Sequence, residues 1–159
     1  MSNTIIRRAD LDDPGDLRAL VEQTAAFAAE GGRELDGSTR HALGSQLRRR
    51  AAFVLLAAEP DGRIVGHLMA QRTLSSFGGR ESCNIHDLYL RDEVRGRGLG
   101  RRLMNSCAEH AVALGCGRLT LEVAVENLAA RGLYRSLGFN VPEETGPAGA
   151  TLFVDRQID

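Results

Sequence analysis

Lysine is missing altogether: every one of the 20 basic residues among the 159 is an arginine. They stand against 21 acidic residues, a formal net charge of -1, so the overall field gives no reason to expect nucleic acid or membrane as a partner. No apolar run approaches the roughly 20 residues that a membrane span needs. Met1 to Arg8 holds no long apolar stretch, so no secretory leader is expected and the expectation is a cytoplasmic protein. Cysteine is scarce, with Cys83, Cys107 and Cys116 odd in number and without a C-x-x-C pair. That argues against a disulfide framework or a zinc site and fits a reducing compartment, so no metal is expected. Interdomain linkers and internal repeats are absent too, and residues 1–159 read as a single domain.

What is present alternates between strand and helix signals. Thr4 to Arg8 reads as an edge strand, and Asp12-Asp13-Pro14 opens a helix that Gly31-Gly32 stops. Ser38 or Thr39 can cap a second helix carrying Leu43 and Leu47. Phe53 to Ala58 and Ile64 to Ala70 form a hairpin about the turn Glu59 to Gly62. A Gly/Ser-rich turn at Ser75 to Arg80 precedes a strand from Asn84 to Leu90. A long helix comes next, with Leu99, Leu103, Cys107 and Val112 on one stripe and Gly115 just past its end. Leu119, Leu121, Val123 and Val125 alternate as a half-buried strand. Asn127 caps a last helix ended by Gly138, and Phe139 to Val141 and Thr151 to Val154 read as two final strands. The order β-α-α-β-β-β-α-β-α-β-β makes an α/β (or α+β) domain with a mixed sheet.

Between a strand and a helix lies Arg95-Gly96-Arg97-Gly98-Leu99-Gly100. Glycines there let several backbone N–H groups converge, and the helix after them aims its positive end at the same point. A pyrophosphate is the natural guest, with Arg95, Arg97, Arg101 and Arg102 adding charge around it. The dinucleotide fingerprint G-x-G-x-x-G fails at Arg101, and a Walker loop fails for want of Gly-Lys.

Arg95-x-x-Gly98-x-Gly100 resembles the acetyl-CoA motif of the GNAT superfamily of N-acetyltransferases. Asn127-x-x-Ala130-x-x-Leu133-Tyr134-x-x-x-Gly138-Phe139 is similar to the same family's second signature, in the same order. The resemblance implies a mixed, mostly antiparallel sheet of about seven strands flanked by four helices. It implies acetyl-CoA as cosubstrate, its pyrophosphate on the loop Arg95, Gly96, Arg97, Gly98, Leu99, Gly100 and Arg101. The pantetheine arm would pair with the main chain of Leu88, Tyr89 and Leu90, in a slot between strands splayed near Leu88 and Val123. Asn127 would contact pantetheine, a role compatible with capping its helix.

The same resemblance makes Tyr134 the residue that meets the CoA sulfur and protonates the leaving thiolate. A backbone N–H near Leu88 would hold the oxyanion. His86-Asp87 stands where small-amine members often carry Glu-Asp, so these two are the candidates for taking the amine proton. Glu122 is read as an anchor for a neighbouring arginine or a base acting through water. Glu30, Glu34, Asp36 and His41 lie in the stretch that would wall the acceptor site. The pattern looks closest to diamine or thialysine-type enzymes, with a small-molecule amine as acceptor. A protein N-terminus or lysine as acceptor, or a non-catalytic acyl-CoA sensor, are the alternatives. The resemblance also allows a homodimer, to which Phe139 to Val154 would contribute.

Overall fold

Asp13 accepts a hydrogen bond from the Asp16 amide at 2.8 Å and Pro14 fills the first turn, which starts α1 at Pro14–Glu30. The computed structural model describes residues 3–50, 52–76, 78–143 and 146–159. Residue 77, inside the turn expected at Ser75 to Arg80, and residues 144–145, inside the last loop, lie outside the described residues. The Asp16 carboxylate accepts two hydrogen bonds from Arg7 at 2.6 Å and one from the Asp10 amide, tying the first strand to α1. Arg7, first, and the Asp10 amide hold that carboxyl below its usual range against the opposing effect of burial.

The remaining helices are α2 (Gly37–Arg49), α3 (Leu99–Ala113) and α4 (Leu128–Ser136), with a 3-10 turn at Asp92–Val94. Six strands, β1 (Ile5–Arg8), β2 (Ala52–Ala58), β3 (Ile64–Leu74), β4 (Glu81–Leu90), β5 (Arg118–Ala124) and β6 (Thr151–Gln157), form one sheet in chain order. β4 and β5 run parallel with α3 as their crossover, and the other neighbours are antiparallel. One face carries α3 and α4 over a core that includes Leu55, Leu68, Leu103, Met104, Leu119 and Leu121. The other carries α1 and α2 over Leu20, Leu47, Val54, Leu56 and Met69. Each fully buried leucine contributes about 1.5–3 kcal/mol, so the sheet is held from both sides.

The structure corrects three expectations. The second helix is capped by Asp36 rather than Ser38 or Thr39, because its carboxylate accepts from both the Thr39 amide and the Ser38 hydroxyl at 2.7 Å. The α3 stripe runs through Leu99, Leu103, Cys107 and Ala111; Val112, five residues past Cys107, turns outward and is 39% exposed. Phe139 to Val141 forms no strand, so the described sheet has six strands where about seven were expected. Asn140 makes one backbone bond to Asp155, and Pro142 then has no N–H to continue a ladder.

Two irregularities in β4 open a gap in the sheet. Met69 pairs with Asp87 but Ala70 pairs with Ile85, leaving His86 as the extra residue of a β-bulge. Side chains on the α3 face therefore switch from the buried Cys83 and Ile85 to the partly buried Leu88 and Leu90. The β4–β5 ladder, for its part, ends at Ile85↔Leu121, although both strands continue. Beyond that pair they part.

Candidate active site

The glycine loop is held in a conformation that leaves its amides pointing away from the fold. Gly96 and Gly98 have φ of 72° and 76°, a region where other side chains are strained. Among the described residues, no N–H from Gly96 to Arg101 finds an acceptor; the first inward bond is Arg102 N–H to the Gly98 carbonyl. Six successive donors at the positive end of a 15-residue helix make a site for an anion.

The arginines around it divide their work. Arg97 has no partner among the described residues and is free to meet a ligand. Arg101 donates to the Ser136 hydroxyl at 2.7 Å, and Arg102 donates to the Thr4 carbonyl, bracing β1. The Arg95 guanidinium is held by Glu30, Asp92 and the Leu90 carbonyl. Three of the four arginines expected to surround a phosphate are thus tied to protein groups.

A cleft of about 550 Å³ runs from this loop past Leu88, Tyr89, Leu90 and Asn127. A second of about 310 Å³ holds His86, Leu88, Glu122, Asn127 and Tyr134. Phe27, Leu88, Asn127 and Ala130 line both, so the two are one slot from the anion site to Tyr134. It occupies the gap where β4 and β5 separate. The Asn127 side chain accepts from the Ala130 amide at 3.1 Å, the expected cap, and also lines the slot.

At the deep end Tyr134 is 7% exposed, its ring 5.8 Å from that of Phe139, and its hydroxyl has no hydrogen-bond partner among the described residues. Burial pushes its phenol up to about 12, which keeps it protonated at neutral pH. His86 and Glu122 face the same cleft from opposite strands. Asp87 does not line it: past the bulge it shares a face with Tyr89. Burial raises the Asp87 carboxyl, and the adjacent His86 opposes that rise. Glu122 anchors no arginine among the described residues; Arg118 pairs with Asp155 instead, at 3.5 Å.

The expected acidic wall is not one unit. Asp36 is a helix cap and Glu30 is held by Arg95, while Glu34 and His41 are exposed. Two side chains of α1 line the slot: Glu30 in the larger cleft, and Phe27, which sequence reasoning passed over, in both. The spacing of Phe27 from Glu30, i and i+3, was the available signal. His67 is fully buried beside Tyr89, ring centroids 6.1 Å apart, and burial lowers its pKa to about 4, so it packs there as a neutral ring. Among the described residues no group of three or more His, Cys, Asp or Glu side chains could hold a metal ion, and no helix is long and apolar enough to cross a membrane.

A family model described as the acetyltransferase (GNAT) family matches residues 18–139. The thialysine N-epsilon-acetyltransferase of Sus scrofa is 28% identical over 148 residues, covering 87% of this chain and 85% of its own. The L-methionine sulfoximine/L-methionine sulfone acetyltransferase of Pseudomonas aeruginosa is 29% identical over 115 residues, 72% of this chain and 66% of its own. Among solved structures, yncA of Salmonella typhimurium, determined with its cofactor acetyl-CoA, matches with a TM-score of 0.76 at 25% identity, covering 99% of this chain and 95% of that one.

Proposed function

The chain belongs to the GNAT acetyltransferase family and is an N-acetyltransferase, and from that premise we propose that it moves the acetyl group of acetyl-CoA to the primary amine of a small molecule. The acceptor is a diamine, an amino acid or a similar compound, and attack is direct, within a ternary complex. The observation that carries this is the single slot joining the free amides of Gly96 to Arg101 to the buried Tyr134 hydroxyl. The amides receive the pyrophosphate, the parted edges of β4 and β5 receive the pantetheine arm, and the thioester falls beside Tyr134. The two related enzymes named above are described by acceptors that are single amino acids, which favours a compact amine.

The chemistry balances with the groups at hand. The amine gives up a proton to His86, directly or through water. Glu122, across the cleft, attracts the cationic acceptor. The neutral nitrogen attacks the thioester carbon, a backbone N–H near Leu88 steadies the oxyanion, and the C–S bond breaks as the C–N bond forms. Tyr134 donates its hydrogen bond, then its proton, to the departing sulfur, and the excess proton left on the new amide nitrogen passes through water to the Tyr134 oxygen.

Release of CoA thiol from acetyl-CoA is measured against thialysine, methionine sulfoximine, diamines, aminoglycosides and short peptides. Without a lysine, the protein adds no side-chain acetylation of its own to the background. Release is expected with the amino acids or diamines, with intersecting initial-velocity lines. The rate should climb with pH through the ionisation of the acceptor, about 8 for an α-amine. Turnover confined to peptides, or none at all, would refute the small-amine reading.

A further inference from the structure

Arg95 sits at the basic position of the loop motif and lines the cleft with the loop glycines, yet its donors are taken by protein groups. The Nε group donates to the Leu90 carbonyl at 2.8 Å and one terminal nitrogen pairs with Asp92 at 2.5 Å. The other terminal nitrogen donates to both oxygens of Glu30 at 2.8 Å. All three nitrogens of the guanidinium are thereby engaged, and its carbon lies 5.7 Å from the centre of the Tyr89 ring.

The partner is what makes this informative. Glu30 is the last residue of α1, 65 positions away in sequence. Phe27 lies one turn earlier on the same face, 38% exposed, and stacks on Tyr89 with centroids 5.5 Å apart. Tyr89 therefore touches both the aromatic ring of α1 and the arginine that holds the end of α1. Phe27 is the only side chain of α1 to line both clefts, at their junction with Leu88, Asn127 and Ala130.

We infer that Glu30 is a positioning residue: through Arg95 it holds the last turn of α1, and with it Phe27, against Tyr89 on the acceptor rim. The motif arginine serves the acceptor wall, and the pyrophosphate is left to the amides of Gly96 to Arg101 and to Arg97. Acceptor recognition is thereby built onto the cofactor loop. The effect on the acceptor rests on the acetyltransferase reading above; the strap itself does not.

Both side chains are over 40% exposed, so the effect falls at the upper end of the range for exposed pairs, about five-fold. In Glu30→Gln and in Arg95→Gln, the KM for thialysine or methionine sulfoximine should rise about five-fold, with smaller changes in kcat and in acetyl-CoA affinity. The double variant should be no worse than either single one, since both break the same link. A second readout needs no acceptor. The amides of Gly31, Gly32 and Arg33 bond back to the last turn of α1, and their hydrogen exchange should quicken in both variants. Three results would overturn the inference: unchanged exchange with unchanged KM, additive effects in the double variant, or Arg95→Gln weakening acetyl-CoA ten-fold while Glu30→Gln does not. Failure of the small-amine reading shows separately, as wild-type protein silent toward every amine while the exchange result stands.

Discussion

Tyr134→Phe is expected to lower kcat about 100-fold while acetyl-CoA affinity changes little, the lower end of what a positioned proton donor contributes. Removing only the oxygen preserves the ring that packs against Phe139, so the core sees no cavity. The hydroxyl has no partner among the described residues, so no native hydrogen bond is lost and Tm should hold or rise slightly. A phenol raised to about 12 is a weaker acid than an alkyl thiol, which for cysteine titrates at about 8.5. Full proton transfer in the resting site would therefore be uphill. The hydroxyl works first as a hydrogen-bond donor to the growing negative charge on sulfur, and the transfer completes once the amine proton has gone. Thiol release under saturating substrates checks this. A variant that keeps at least half of the wild-type kcat would remove Tyr134 from the mechanism.

Gly98→Val is expected to weaken acetyl-CoA binding at least ten-fold. Space is not the obstacle, since nothing lies within 4 Å of where a Cβ would stand. The obstacle is φ at 76°, which costs an ordinary L residue about 1–2 kcal/mol and a β-branched one more. The loop escapes that cost by rotating, and rotation scatters the amides that converge on the anion. Gly62 is a control, with φ at 86° and equally open surroundings in the turn between β2 and β3. Gly62→Val should reduce stability comparably yet leave acetyl-CoA affinity at the wild-type value. Equal affinity losses in the two variants would mean that general destabilisation, not the geometry of the loop, explains the effect.

Much of this architecture was legible because its signals are local. Asp13, Gly32, Asn127 and Gly138 act on backbone groups within a few residues of themselves, and each stands where its residue type implies. Asp36 was missed for the same kind of reason in reverse. Three capping residues crowd one turn, and a carboxylate that accepts twice outcompetes either hydroxyl. The bulge at His86 also leaves a trace in the chain, since the apolar positions change parity between Ile85 and Leu88. Read that way, the sequence already separates His86 from Asp87.

The slot itself was not readable from periodicity. Strands β4 and β5 alternate as any half-buried strands do, and nothing within either says that their ladder stops at Ile85↔Leu121. That expectation came wholly from the family resemblance. Arg95 marks the complementary limit. Its motif position was legible, but its partner Glu30 depends on where α1 crosses the sheet, which no local pattern encodes.

Calorimetric titration of the wild-type protein with acetyl-CoA tests the central claim most directly, because every catalytic step presupposes that the slot takes this molecule. The expected result is saturable binding of one acetyl-CoA per chain, at least ten-fold weaker in Gly98→Val. Heat that never saturates, or a wild-type affinity retained by Gly98→Val, would contradict the account.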